Sequence, residues 1–144
     1  MFGIRYIRLF HVFPFARKIP ATVINHDDAP IKKSMGKANV AITKVAGLQT
    51  MKITIEPGFD WPKDVGAHQP GCPEWCPATH FGYLQSGQMT MKFNDGSEDV
   101  VVNAGDTYHI GPGHQPIITS SEPAVMVEFS QDTEVQKMVD DAKN

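Results

Sequence analysis

The chain has 144 residues, of which 41% are hydrophobic and 20% charged, and a formal net charge of -3. This length supports one domain with a sizeable core, and the composition is that of an ordinary soluble globular protein. No apolar run approaches the roughly 20 residues of a membrane-spanning helix, and the slightly acidic balance gives no general attraction to nucleic acid or anionic lipid.

The charge is unevenly placed. Residues 1–52 hold nine Lys/Arg and two acids, whereas the rest of the chain holds four basic and fourteen acidic side chains. A basic N-terminal arm over residues 1–37, lying on the acidic body or on a partner subunit, is the expectation. Its first twenty residues, MFGIRYIRLFHVFPFARKIP, contain no acid. Arg5 and Arg8 interrupt any secretory apolar core, and the absence of serine argues against a transit peptide. Two cysteines, Cys72 and Cys76, do not make a disulfide framework, so a reducing cytoplasm is the expected location.

From residue 38 the chain reads as short strands separated by turns. VAITKV (40–45) and MKITIE (51–56) carry β-branched residues in partial alternation, and Pro57-Gly58 ends the second. FGYLQSG (81–87) follows, with Phe81, Tyr83 and Leu84 expected in the core. In QMTMKF (88–93), Met89, Met91 and Phe93 share a face, which predicts core packing. Asn94-Asp95-Gly96 is a hairpin signal leading into EDVVVN (98–103). TYHIGPGH (107–114), PIITSS (116–121) and AVMVEF (124–129) complete the series. The tail reads helical over 131–144, where Val135, Met138, Val139 and Ala142 recur at helical spacing behind a Thr133/Gln136 capping box. Many short strands without interleaved helices predict an all-β sandwich or barrel over 38–130.

The chemistry concentrates in GCPEWCPATHFGYLQSG (71–87). Glu74, Cys76 and His80 have the same parity, so in an extended chain they point to one side. Thiolate, imidazole and carboxylate are ligands of Zn and of divalent Fe, Ni or Mn. Pro73 and Pro77 exclude a helical Cys72/Cys76/His80 stripe.

The segment resembles the first motif of the cupins. His80 is followed six residues later by Gly87, with Tyr83-Leu84 in the usual hydrophobic positions. GDTYHIGPGHQP (105–116) resembles their second motif, with Gly105 and Gly113 in register. Cys76, His80, Gly82, Tyr83, Ser86, Gly87 and Pro112-Gly113-His114 match a subgroup of small single-domain cupins. The chain departs from the general pattern where Cys76 and Glu74 replace the first-motif histidines, His80 replaces the glutamate and Pro116 replaces the second-motif histidine.

The resemblance implies a jelly-roll barrel, a double-stranded β-helix, with a divalent metal near its mouth. The candidate ligand set is His80, His114, Cys76 and Glu74, and the thiolate favours Zn over Fe, Ni or Mn. The implied activity is that of a metal-dependent enzyme, of dioxygenase, isomerase or lyase type, acting on a small polar organic molecule. Glu74 or His68 would transfer protons. The alternative is a non-catalytic metal- or small-molecule-binding module. The resemblance also implies a homodimer.

Overall fold

The structure is a computed structural model, and it describes residues 21–45 and 47–130. The tail expected to be helical, 131–144, and residues 1–20 of the arm lie outside the described residues. After a 3-10 turn at His26–Asp28, nine strands follow among the described residues. They are β1 (Ile31–Met35), β2 (Ala38–Val45), β3 (Leu48–Ile55), β4 (His80–Ser86), β5 (Gln88–Phe93), β6 (Val100–Asn103), β7 (Thr107–Ile110), β8 (His114–Ile117) and β9 (Ala124–Ser130). Residues 31–35, within the expected arm, thus form a strand of the sheet.

The strands make two antiparallel sheets. The larger has the order β1-β2-β3-β9-β4-β7, and the smaller has the order β6-β5-β8. Alternation on β3 shows why they pack. Gln49, Met51, Ile53 and Ile55 are buried while Thr50, Lys52 and Thr54 are half-buried on the other face, as a period of two requires. From the smaller sheet, Met89, Met91 and Val102 join Met51, Ile53, Leu84 and Met126 in a single core. The methionine stripe read from the sequence is therefore core. This two-sheet antiparallel arrangement is a jelly-roll barrel.

Three expectations are corrected. Phe81 and Tyr83 are 51% and 41% exposed on the outer face of β4, and only Leu84 of the three is buried. The run 107–114 is not one strand, because the ladder stops at Ile110 and resumes at His114 across Gly111-Pro112-Gly113. The hairpin partner of β5 begins at Val100, two residues later than expected.

Between β3 and β4 the chain leaves both sheets for 24 residues. A one-turn helix α1 (Trp61–Asp64) and a 3-10 turn (Gly66–His68) occupy this crossover. Asp60 caps α1 by accepting from the Lys63 amide at 3.2 Å, and buried Asp64 accepts from the Asp60 amide at 3.0 Å. These reciprocal caps satisfy amides the short helix leaves unpaired. The Asp64 carboxylate fills the space a side chain at Gly36 would need, and Gly36 has φ +53°. The crossover is thereby seated on the β1–β2 turn, with Trp61 and Val65 in the core.

Candidate metal centre

Three side chains converge from three different elements. His80 opens β4 in the larger sheet, His114 opens β8 in the smaller, and Cys76 ends the crossover. Cys76 is held against β8 by a pair of backbone hydrogen bonds. Its amide donates to the His114 carbonyl at 2.9 Å, and its carbonyl accepts from the Gly113 amide at 2.8 Å. The ligand atoms of Cys76, His80 and His114 all lie within 4.8 Å of one another. The Cys76 Sγ to His80 Nε2 distance is 3.4 Å. Tetrahedral zinc with ordinary Zn–S and Zn–N lengths holds sulfur and nitrogen roughly 3.6 Å apart, so the donor set fits a metal ion.

Ring orientation strengthens that fit. His114 Nδ1 lies 2.6 Å from the Gly111 carbonyl oxygen, which can only accept, so Nδ1 carries the proton. His80 Nδ1 lies 2.7 Å from Glu128 Oε2. Both imidazoles are therefore fixed through Nδ1, which leaves Nε2 as the donor atom, the arrangement that supports metal-bound histidines in general. The two rings stand edge-on, with centroids 5.0 Å apart and planes at 82°.

Glu128 and Tyr108 were not singled out by sequence reasoning. Glu128 lies on β9 directly across from Gly82, and Tyr108 lies across from Gly82 on the other side, on β7. The Tyr108 hydroxyl donates to Glu128 Oε1 at 2.9 Å, so both carboxylate oxygens are occupied. A methyl group at Gly82 would stand 2.7 Å from Tyr108 Oη and 2.9 Å from Glu128 Cγ. The glycine two residues after His80 is thus what lets the carboxylate pass between strands to reach the ring. A sequence signal was present. In AVMVEFS, Ala124, Met126 and Glu128 share the buried parity, so Glu128 is an acid on an inward apolar row.

The groups perturb one another strongly. Burial pushes the Cys76 thiol up, but hydrogen bonds with His114 and His80, together with the charge on His80, bring it down to about 7. Burial pushes His80 down, and hydrogen bonds to Cys76 and Glu128, with the charges of both, raise it to about 10. The ion-free cluster is accordingly a thiolate–imidazolium pair, with His80 Nε2–H donating to sulfur and Nδ1–H to Glu128. Burial, and then the neighbouring Glu128 carboxylate, raise Tyr108 far above an ordinary phenol, so it stays a hydroxyl donor.

The remaining candidates fall outside this cluster. Glu74 is exposed and its carboxylate is not among the converging donors; its backbone carbonyl accepts from Gln115 Nε2 at 2.6 Å. Parity placed it with Cys76 and His80 only for a chain extended through residue 80, but Cys76 makes an isolated bridge and the chain bends before β4. His68 is exposed on its 3-10 turn and lines the cavity above the cluster. His109 is exposed on β7, opposite Phe81. Cys72 is free and exposed, so the two cysteines form no disulfide. Pro116 is buried and lines the cavity beside His114.

That cavity measures about 140 Å³. Cys76, His80 and His114 form one part of its wall, and inward side chains of β1, β2, β3, β5, β8, β9 and the crossover form the rest.

No family model matches the sequence, and no curated protein matches it. Solved structures do resemble it. A protein of unknown function (DUF1255) from Acidithiobacillus ferrooxidans matches 78% of this chain and 93% of its own, with 14% identity and a TM-score of 0.53. A Lactobacillus farciminis oxalate decarboxylase, solved as a formate complex, matches 70% of this chain at 15% identity and a TM-score of 0.50. This chain spans only 30% of that enzyme. A Klebsiella pneumoniae protein with a double-stranded β-helix domain matches 76% of this chain at 14% identity, with a TM-score of 0.49. The fold is the double-stranded β-helix of the cupins. Its interior carries a Cys/His/His cluster with the donors of a metal site.

Proposed function

We propose that the chain is a metal-dependent cupin enzyme acting on a small organic molecule, with Cys76, His80 and His114 as the protein ligands of a divalent ion. The observation that carries this reading is the fixed ring orientation. Glu128 and the Gly111 carbonyl hold both Nδ1 atoms and aim both Nε2 atoms, with the Cys76 sulfur, at the cavity. Three protein donors beside a cavity leave a coordination position for a reactant, as catalytic rather than structural sites do. The thiolate favours zinc, and Fe, Ni or Mn suit the imidazoles. A divalent ion there would supply a Lewis acid that polarises an oxygen of the bound molecule or activates water.

The protein's own groups would do the rest. Glu128 keeps the His80 ring in its ligating tautomer, and Tyr108 keeps Glu128 aligned. His68, on the cavity wall, is the residue we assign to proton transfer in place of Glu74, which does not line the cavity. Metal analysis of the purified protein, alongside His80→Ala, His114→Ala and Cys76→Ala, tests the assignment. Each variant should lose bound metal by at least tenfold. Full metal content in His80→Ala would overturn it.

A homodimer in the cytoplasm completes the proposal. The exposed Phe81 and Phe129 rings, 6.2 Å apart on the outer face of β4 and β9, support an interface there. Light scattering that finds a monomer at micromolar concentration would count against it.

A further inference from the structure

Building on the metal reading of this site, we propose that the cavity takes a small monocarboxylate with an apolar body, of about the size of a benzene ring. Its volume of about 140 Å³ is close to the roughly 150 Å³ at which an apolar protein cavity holds benzene. Met35, Met51, Met91 and Met126 line it together with Phe59 and Trp61. Methionine walls adapt to irregular apolar shapes and to aromatic rings.

Two polar groups in the wall, Trp61 and Glu128, are already engaged. Trp61 Nε1–H donates to the Pro73 carbonyl at 3.3 Å, and Glu128 spends both oxygens on Tyr108 and His80. Hydroxyls of a polyhydroxylated ligand that faced the methionine wall would be buried without partners, at about 1–3 kcal/mol each. This argues against the polar small molecule expected from the sequence.

Charge supplies the other half of the inference. Lys33 stands on β1 in the same row as Ile31 and Met35, is half-buried, and lines the cavity. It makes no ion pair or hydrogen bond recorded among the described residues. With a divalent ion in place, the ion and Lys33 together exceed the Cys76 thiolate and the Glu128 carboxylate by one positive charge. One carboxylate neutralises that excess, whereas a dianion would leave a buried negative charge uncompensated. Its apolar body then lies against the methionine wall.

Calorimetric titration of the full-length protein, zinc-loaded and chelator-treated, with benzoate, acetate and benzyl alcohol tests this. Acetate shares the carboxylate without the apolar body, and benzyl alcohol shares the ring without the charge. Zinc-loaded protein should bind benzoate at least tenfold more tightly than either. Lys33→Met should weaken benzoate about tenfold and leave benzyl alcohol unchanged. Chelator-treated protein should bind benzyl alcohol as well as the zinc-loaded form does. Acetate equalling benzoate would overturn the apolar body, and benzyl alcohol equalling benzoate, or no effect of Lys33→Met, would overturn the carboxylate. Protein that takes up no zinc but still binds benzyl alcohol would sink the metal reading and leave the apolar cavity standing.

Discussion

Glu128 Oε2 lies 2.7 Å from His80 Nδ1, and Glu128 Oε1 takes the Tyr108 hydroxyl at 2.9 Å. One carboxylate on β9 thus fixes a ring on β4 and a phenol on β7. A glutamine at this position accepts through one atom only, so its carbonyl can take His80 Nδ1–H only if its amide donates to the Tyr108 oxygen, and both charge-assisted bonds to the carboxylate are lost. Glu128→Gln should lower zinc affinity 10- to 100-fold, as loss of a partner to a metal-bound histidine does. It should also destabilise the protein by about 1–3 kcal/mol. Chelator competition reads the first effect and urea denaturation the second.

Gly82→Ala tests the same bridge from the backbone side. Its methyl would meet Tyr108 Oη at 2.7 Å and Glu128 Cγ at 2.9 Å, so one of them must move. The expected cost is about 1–3 kcal/mol of overpacking, together with weaker zinc binding. Unchanged zinc affinity would show that His80 does not depend on Glu128 for its orientation.

The thiolate–imidazolium pair gives the ion-free protein a defined pH response. His80, raised from 6.5 to about 10, contributes stability that is complete below 6.5 and is lost as pH rises towards 10. Cys76, lowered from 9.0 to about 7, contributes stability that is complete above 9.0 and is lost as pH falls through 7. The two slopes oppose each other between pH 7 and 9, so stability should be nearly flat there and fall between pH 9 and 10. Denaturation curves at half-unit pH steps measure this. A monotonic rise across pH 7–10 would contradict the assigned charge states.

Metal binding must remove the Nε2 proton from His80 while Nδ1–H stays on Glu128, and below pH 7 it must remove the proton from Cys76 as well. Zinc affinity should therefore rise about tenfold per pH unit from 7 to 10, and more steeply below 7. Cys76→Ser should abolish the sulfur-to-metal charge-transfer absorption of the cobalt-substituted protein. An unchanged spectrum would remove Cys76 from the ligand set.

Much of the architecture was legible because apolar alternation and turn residues report directly on burial. The extent of β5, Gln88–Phe93, follows from the Met89/Met91/Phe93 face and the Asn94-Asp95-Gly96 turn. Aromatic character does not fix burial at Phe81 and Tyr83, because β4 turns Gly82 and Leu84 inward instead. Cys76, His80 and His114 were readable from motif spacing, although spacing alone could not bring two sheets and a crossover to one point. Glu74 was misplaced by assuming an extended chain where Cys76 in fact bridges to His114. Glu128 is 48 residues from His80 in sequence, so only strand pairing could join them.

The three donors belong to three parts of the molecule, joined through the backbone only by the bridge between Cys76 and His114. His80 is in the six-stranded sheet, His114 in the three-stranded sheet and Cys76 in the crossover. An ion bound there would act as a rivet through the barrel wall, tying both sheets and the loop that covers them. Occupancy would then govern how readily the barrel opens at this end. Amide exchange in β8 and in residues 57–79 should slow when zinc is added, while the β2–β3 hairpin, which supplies no ligand, should exchange at the same rate with or without it.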